Sequence, residues 1–139
     1  MPARNWLITG ASSGFGRELA IQLLDRGNTV VGTVRRPDSV ADLVQKYPGT
    51  FHRELLGVTD TAAVRDVVDR GFASLGRIDV VVSNAGYGLF GAAEELSDQQ
   101  VSHIIATNLI GSIQLIWACL PHLRAQGGGR IIQMSTYGG

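Results

Sequence analysis

A glycine-rich segment near the amino end carries the clearest chemical pattern in the sequence. It reads Thr-Gly-Ala-Ser-Ser-Gly-Phe-Gly over residues 9–16, after an apolar run and before a stretch with helical spacing. Glycines permit positive φ angles and close approach of the backbone to a ligand, and a helix amino end presents free N–H groups to an anion. A loop of this kind at the first strand-to-helix turn predicts a dinucleotide pyrophosphate site. The alternative is a purely structural turn.

Two arginines stand where the second predicted strand ends, in Thr33-Val34-Arg35-Arg36-Pro37. A carboxylate at this place, about 20 residues beyond the loop, would bind the free 2′-hydroxyl of the NAD ribose. The sequence has guanidiniums there, and their charge and fork geometry suit a phosphate monoester. We therefore predict NADP(H) rather than NAD as the cofactor, with Arg35 the better candidate and Arg36 the second. The alternative is that both are solvated residues at a strand end.

The other reactive side chains narrow the possible chemistry. Lys46 is the only lysine in the sequence, so a mechanism that needs a lysine from this chain must use it. Cys119 is the only cysteine, which excludes an internal disulfide and a cysteine metal cluster and suits a reducing compartment. We expect no metal ion in the site.

Composition and charge limit the classes of partner. Of the 139 residues, 45% are hydrophobic, and 12 basic side chains balance 12 acidic ones. A net charge of zero argues against a nucleic-acid-binding surface. The amino end lacks the pattern of a signal peptide, and the longest apolar stretch, residues 108–120, is shorter than the roughly 20 residues that span a bilayer. We expect a cytoplasmic protein that binds neither nucleic acid nor membrane.

Apolar runs alternate with helical patterns along the whole chain. Strands are predicted over residues 6–9, 29–34, 51–56, 78–83 and 131–134. Helices are predicted between them over residues 15–26, 37–46, 60–75, 97–105 and 107–126. This βαβαβαβαβ order predicts an α/β fold, a Rossmann-type doubly wound parallel sheet in a three-layer αβα arrangement.

The carboxyl end of the chain bears on domain organisation. Residues 1–139 form one predicted domain, without a linker or an internal repeat. The sequence stops directly after a predicted strand, where the next helix should cover the sheet. We interpret the domain as carboxyl-terminally incomplete, with about five strands, and as the amino-terminal part of a longer protein.

Three motifs occur together in a familiar order. The glycine loop, Asn84-Ala85-Gly86 after the fourth predicted strand, and Asn108 in the last helix resemble the classical short-chain dehydrogenase/reductase family. The resemblance covers essentially the whole chain. It implies a Rossmann-type fold and an oxidoreductase that uses a nicotinamide dinucleotide.

The resemblance also implies which residues bind the cofactor: Thr9, Gly10, Ser12, Ser13, Gly14, Phe15, Gly16, Arg35, Arg36, Val58, Asn84, Ala85 and Gly86. Asn84 has an alternative role, in which its amide ties neighbouring strands together. One position departs from the family. Where members often have Asp-Val after the third strand, this chain has Gly57-Val58. A carboxylate contact to the adenine amine is therefore lost, while backbone contacts at Val58 remain.

Three residues match catalytic positions of the family. Asn108 matches the asparagine that helps to hold a proton-relay water through a backbone kink; the alternative is a mid-helix polar residue that bonds the backbone. The segment at Ser135-Thr136 resembles the one whose hydroxyl donates to the substrate carbonyl. Register favours Thr136 for this role, and Ser135 takes it if the register shifts by one residue.

The proton donor that the resemblance implies is missing. In the family it is a tyrosine followed four residues later by a lysine, which lowers the tyrosine pKa from about 10. Tyr47, Tyr87 and Tyr137 all lack a lysine at that spacing. We therefore expect residues 1–139 to be inactive by themselves.

The expected function is an NADP(H)-dependent oxidoreductase that, at full length, interconverts an alcohol and a ketone or aldehyde of small-molecule size. The resemblance also implies a homo-oligomer assembled partly through the last helix. A catalytically silent dinucleotide-binding fragment is the first alternative. A methyltransferase that uses S-adenosylmethionine is the second, but it usually needs an acid at the end of the second strand, where this chain has Arg35.

Overall fold

A five-stranded parallel sheet forms the centre of the protein. The structure, a computed structural model, describes residues 2–136. The strands are β1 (Asn5–Ile8), β2 (Thr29–Val34), β3 (Phe51–Leu55), β4 (Val80–Ser83) and β5 (Arg130–Gln133). Their order across the sheet is β3-β2-β1-β4-β5, and each neighbouring pair is parallel. This order, which reverses direction between β1 and β4, confirms the predicted doubly wound Rossmann-type fold.

Helices connect the strands and cover both faces of the sheet. They are α1 (Gly14–Asp25), α2 (Ala41–Lys46, after a 3-10 turn at Pro37–Val40), α3 (Thr61–Leu75), α4 (Asp98–Ile105) and α5 (Gly111–Ala125). Local signals explain where two of them begin. Asp60 accepts a hydrogen bond from the Ala63 N–H at the start of α3. Ser97 and Gln100 form a reciprocal capping box at the start of α4.

Alternating strand residues supply two separate clusters of buried side chains. On one face, Leu7 and Val81 pack with side chains from α3 and α5, including Val64 and Leu115. On the other face, Ile8 and its neighbours pack with side chains from α1 and α2. Because successive strand residues point to opposite faces, one short strand can serve both clusters.

The single cysteine belongs to the first of these clusters. Cys119 on α5 is fully buried, and burial raises the pKa of its thiol to about 12. A thiol that remains protonated and inaccessible is not a nucleophile. Cys119 therefore contributes to packing.

The two helices predicted over residues 97–105 and 107–126 are one continuous helix in the structure. A π-helical turn, Ala106–Ile110, joins α4 to α5 and brings the total to 28 residues, Asp98–Ala125. The prediction of two separate helices was wrong. The helix continues because residues 105–111 contain no proline, and their one glycine, Gly111, is itself helical. We call Asp98–Ala125 the long helix below.

The long helix extends well beyond the apolar stretch of residues 108–120 considered above, and most of its apolar part is exposed. A window of 18 residues within it has a mean hydropathy of 1.6, and 22% of that window is buried. By length and composition alone the helix could cross a membrane, whereas the shorter stretch of residues 108–120 could not. The core helix of a soluble protein can be equally long and apolar, but such a helix is mostly buried. Its exposed apolar side chains include Ile105, Leu109 and Trp117.

Asp79 joins three strands at the edge of the sheet opposite the glycine loop. Its carboxylate accepts hydrogen bonds from the Asn5 N–H (2.9 Å) and from Arg77 Nε (2.6 Å). Its own backbone N–H donates to the Asn5 carbonyl, and its carbonyl accepts from the Arg130 N–H. Burial alone would raise the pKa of Asp79, but the bonds from Asn5 and Arg77 outweigh it and hold the pKa below the ordinary 3.8.

We predict that Asp79→Ala lowers the free energy of unfolding by about 1–2 kcal/mol at pH 7, because hydrogen bonds to an ionised group are lost. Because the pKa of Asp79 is lower in the folded than in the unfolded state, its ionised carboxylate stabilises the fold at pH values above the unfolded pKa. This stabilisation is lost as the pH falls through the folded pKa. The difference from the wild type should therefore shrink below about pH 4. Urea unfolding at pH 7 and pH 3 measures it, with the exposed Asp38→Ala as control. A deficit of equal size at both pH values would contradict the role of the charge.

Candidate functional site

A cavity of about 420 Å³ opens at the carboxyl ends of the strands. Four segments that follow β1, β2, β3 and β4 line it, together with one face of the long helix. In open α/β sheets, ligands bind at this edge, where the strand order reverses. The lining comprises Gly10, Ser12–Phe15, Thr33–Arg35, Leu56–Thr59, Asn84–Tyr87, His103 and Thr107.

The glycine loop has the backbone geometry that its sequence predicts. Gly10 and Gly14 have φ angles of 69° and 59°, a region that residues with a Cβ rarely adopt. The loop leads into α1, whose cap residue Ser13 makes no side-chain capping bond and whose first turn contains no acid. Gly10, Ser12, Ser13, Gly14 and Phe15 all line the cavity. The helix start is therefore open to a negatively charged group.

Gly16 is required for a different reason. A Cβ at this position would lie 2.2 Å from the Gly10 carbonyl oxygen and 2.5 Å from Asn84 Nδ2. Both distances are far shorter than any real contact. Gly16 does not line the main cavity, so its contribution is to let α1 approach the loop closely.

Thr9 holds the site together from beneath. Its side chain is buried, and its hydroxyl accepts hydrogen bonds from the backbone N–H groups of Asn84 (2.9 Å) and Ala85 (3.0 Å). Thr33 acts similarly on the other side, because its hydroxyl accepts from the Gly10 N–H at 3.2 Å. Thr9, which the resemblance places among cofactor-binding residues, does not line the cavity. It positions residues that do.

Asn84 has the tying role that the sequence left open. Its amide Nδ2 donates to the carbonyl oxygens of Thr9 (3.2 Å) and Gly10 (3.1 Å), which joins the segment after β4 to the segment after β1. Asn84 also lines the cavity, as do Ala85 and Gly86. The structure therefore gives Asn84 a tying role while leaving it at the cavity surface.

Of the two arginines after β2, the structure places one at the cavity. Arg35 lines it, and Arg36 does not. Both are exposed, and in the described part of the chain neither forms a salt bridge. The backbone that follows is fixed from two sides, because Arg17 donates to the Ser39 carbonyl and Arg53 to the Pro37 carbonyl. Arg35 thus extends from an ordered backbone with its guanidinium available.

The segment after β3 reaches the cavity through Leu56, Gly57, Val58 and Thr59. Val58 also packs against the long helix, since a Cβ on Gly111 would lie 3.0 Å from Val58 Cγ2. Gly57, where the family often has an acid, leaves this wall without a carboxylate. Arg35 is the only charged side chain among the residues described as lining the cavity, if His103 is counted as neutral.

Asn108 lies within the π-turn and clamps the loop after β4. Its Oδ1 accepts from the Tyr87 N–H (3.0 Å), and its Nδ2 donates to the Tyr87 carbonyl (2.7 Å). Its own carbonyl accepts from the Ser112 hydroxyl (3.0 Å), which in turn accepts from the Ser83 hydroxyl (3.2 Å). The π-turn provides the backbone distortion that the resemblance implies at this residue. The alternative reading, a polar residue bonding the backbone, also describes these contacts.

Ser135 and Thr136 follow β5, and both are exposed. Neither lines the cavity, whereas the preceding Met134 lines a smaller apolar cavity of about 260 Å³ beside Phe15 and Leu19. Among the described residues neither hydroxyl forms a hydrogen bond with Asn108, and the structure does not distinguish between them. Tyr137, at the end of the same segment, lies outside the described residues.

Several lining residues could not be found from local patterns. Leu56, Thr59, His103 and Thr107 reach the cavity through packing between elements distant in sequence. Tyr87, named above only as a tyrosine without a lysine four residues later, also lines the cavity. Within residues 2–136, no group of three His, Cys, Asp or Glu side chains is placed to hold a metal ion.

Comparison with known proteins gives consistent matches. A family model described as short chain dehydrogenase matches residues 4–139. An oxidoreductase of Botryotinia fuckeliana, BOA17, is 38% identical over 135 residues, which cover 96% of this chain and 49% of that protein. A crystal structure of a short-chain dehydrogenase from Streptomyces avermitilis superposes with a TM-score of 0.94 at 39% identity, covering 99% of this chain and 51% of that one.

A solved structure described as ElxO with NADP bound superposes with a TM-score of 0.88 at 28% identity. It covers 97% of this chain and 56% of that chain. The chain thus spans about half the length of the curated relatives it matches.

We predict that Gly16→Ala destabilises the fold by about 1–3 kcal/mol, because the new methyl group overlaps the Gly10 carbonyl and the Asn84 amide. Thermal unfolding measures the loss. Gly57→Ala is the matched control, since a Cβ there meets no atom within 4 Å. The control should stay within about 0.5 kcal/mol of the wild type. Equal stability of the two variants would show that the loop relaxes around the methyl group.

Proposed function

Because the chain belongs to the short chain dehydrogenase family, we propose that it is the cofactor-binding part of an NADP(H)-dependent oxidoreductase. The complete protein interconverts a small-molecule alcohol and a ketone or aldehyde. In this proposal the protein is cytoplasmic, and at full length it assembles into a homo-oligomer. The exposed apolar side chains of the long helix, such as Leu109 and Trp117, support that assembly.

The charge pattern of the cavity carries the proposal. The site has an uncapped helix start with two positive-φ glycines on one side, Arg35 on another and no carboxylate among the described lining residues. These donors suit a ligand with a pyrophosphate and a further phosphate monoester. The relative solved with NADP bound is a further support for NADP over NAD.

Each part of the site has a distinct task in the proposed reaction. The loop at Gly10–Phe15 binds the pyrophosphate, and Arg35 binds the 2′-phosphate. Arg36, one residue further and away from the cavity, has at most an indirect effect. The nicotinamide, when bound, supplies or accepts the hydride. A hydroxyl at Thr136, or at Ser135, donates a hydrogen bond to the substrate oxygen.

Asn108 takes part through its side chain and through its backbone carbonyl. Its side chain holds Tyr87, and its carbonyl lies at a helix distortion where a backbone oxygen can accept a second hydrogen bond. A proton donor remains to be supplied, since Lys46 lies on α2 and no tyrosine of the chain precedes a lysine by four residues.

A catalytically silent dinucleotide-binding fragment is the second candidate function. The absence of a Tyr-x-x-x-Lys segment from the sequence favours it. Both candidates share the cofactor site and differ in turnover.

We predict that Arg35→Ala removes the preference for NADPH. Loss of a charge-assisted contact to a phosphate costs roughly 1.5–3 kcal/mol, which is about a 10- to 150-fold weaker affinity for NADPH. Affinity for NADH, which lacks the phosphate, should change little. Titration of the intrinsic fluorescence with both cofactors measures the ratio. Arg36→Ala is the matched control and should retain the preference. An unchanged ratio in the Arg35 variant would contradict the assignment.

We also predict that the 139-residue chain binds NADPH without consuming it. Absorbance at the reduced-nicotinamide band, followed with a panel of ketones and aldehydes, should remain constant. A longer form of the protein that carries a Tyr-x-x-x-Lys segment should consume NADPH with at least one of them. Turnover by residues 1–139 would show that another group donates the proton.

A further inference from the structure

Two arginine side chains hold the backbone of the turn that follows Arg35. Arg17, at the start of α1, donates from Nη1 to the Ser39 carbonyl at 3.3 Å. Arg53, on β3, donates from Nη1 to the Pro37 carbonyl at 2.8 Å. The turn is therefore held by a helix on one side and by the strand next to β2 on the other. We call Arg17 and Arg53 the arginine clamp, to which the function proposed above gives no task.

Arg17 is itself oriented by a second contact. Its Nη2 forms an ion pair with Asp42 on α2, and its side chain is 27% exposed. The planar fork of a guanidinium can hold two acceptors at once, here a backbone carbonyl and a carboxylate. Because the Asp42 side chain is 63% exposed, such a pair contributes little to the free energy of unfolding. Its effect is therefore local, on the position of the turn.

The backbone on either side of Arg35 has fixed hydrogen-bond partners. Before it, the Val34 carbonyl accepts from the Leu56 N–H at 2.9 Å. After it, the Arg36 carbonyl accepts from the Ser39 hydroxyl at 2.6 Å and from the Ser39 N–H at 3.3 Å. Ser39 is also the residue whose carbonyl the arginine clamp holds. The arginine clamp thus acts on the backbone that places Arg35 at the cavity.

The arginine clamp also connects two segments that bind phosphate in the proposed function. Arg17 lies on the helix whose amino end follows from the glycine loop, and Ser39 belongs to the turn after Arg35. In NADP(H), one ribose carries both the 2′-phosphate and the link to the pyrophosphate, so the distance between their binding groups has little freedom. Recognition at full strength needs such groups within about 0.5 Å of the productive geometry. A contact from α1 to the turn fixes that distance within the protein.

We propose that Arg17 and Arg53 are positioning residues that determine the preference for NADP(H) over NAD(H). This inference rests on the proposed function and adds two residues to it. Neither arginine is among the described residues that line the cavity, so both act through Arg35. Without the arginine clamp, the turn must be ordered each time the cofactor binds, which weakens the contact with the 2′-phosphate. NADH lacks that phosphate, and its binding does not depend on the turn.

The test measures the affinity of the 139-residue chain for NADPH and for NADH by titration calorimetry. Arg17→Ala and Arg53→Ala should each weaken NADPH binding about 3- to 10-fold and leave NADH binding within about twofold. The double variant should approach the loss of preference expected for Arg35→Ala. Thermal unfolding checks that every variant is folded. A role in stability alone would lower the melting temperature and leave the ratio of the two affinities unchanged.

A variant of Asp42 separates geometry from charge. Loss of an arginine removes a positive charge, which by itself weakens binding of the more highly charged NADPH. Asp42→Ala removes a negative charge instead and releases Arg17 from its ion pair. Charge alone predicts stronger NADPH binding by this variant, whereas the proposal predicts binding about 2- to 5-fold weaker. Arg70→Ala is the matched control, because it removes an exposed arginine that is paired with Glu54 rather than bonded to the turn.

The outcomes distinguish the two levels of the proposal. Weaker NADPH binding in the Arg17, Arg53 and Asp42 variants, with an unchanged ratio in Arg70→Ala, supports the arginine clamp. A full preference for NADPH in the double variant, together with its loss in Arg35→Ala, overturns the arginine clamp and leaves the proposed function intact. Stronger NADPH binding by Asp42→Ala also overturns it. A wild-type chain without a preference for NADPH overturns the proposed cofactor itself.

Discussion

The buried hydroxyl of Thr9 is the contact on which the site depends. It lies at the end of β1 and accepts the backbone N–H groups of Asn84 and Ala85 at the end of β4. In return, the side-chain Nδ2 of Asn84 donates hydrogen bonds to the carbonyls of Thr9 and Gly10. β1 and β4 are parallel, but the order in which successive strands are added to the sheet reverses between them. The loops that follow these two strands therefore diverge and open a crevice. These bonds keep the crevice at a fixed width while leaving its floor polar and paired.

The constraint extends outward from that point through polar side chains of modest size. Thr33 holds the glycine loop to β2, and Asn108 holds Tyr87 to the long helix. Ser112 and Ser83 connect the distorted turn back to β4. The side chains of Thr33, Asn108 and Ser112 each bond backbone groups next to the cavity, which would otherwise need water as a partner. The cavity is thus bordered by tied loops, which suits a site that must bind a long ligand in one pose.

The sequence predicted features whose causes are local. The glycine loop was predictable because three glycines are required by backbone angle or close approach within eight residues. The sheet was predictable because five apolar runs alternate with helical spacing. The long helix was divided wrongly, because Thr107 and Asn108 are weak helix formers and their stabilising contacts lie elsewhere. Tyr87 supplies such contacts from a loop that no helical pattern connects to Asn108.

Positions set by packing between distant elements could not be predicted in the same way. His103 reaches the cavity because the long helix crosses beside the segment after β3, and Gly111 permits that approach. The different positions of Arg35 and Arg36 could be predicted only in part. Alternation along a strand predicts that their side chains point in opposite directions, but not which of the two faces the site. The resemblance supplied Val58, whereas Thr107 and Leu56 required the structure.

The sheet order has a thermodynamic consequence for the empty protein. Within residues 2–136 the strands divide into β3-β2-β1 and β4-β5, and the only strand pairing between the two groups is that of β1 with β4. A ligand that lies across the cavity bridges both groups and binds only when they are joined. Binding of such a ligand then stabilises the association of the two groups of strands. The added stability grows with the logarithm of the ligand concentration. A ligand bound across the cavity would therefore raise the free energy of unfolding of the protein.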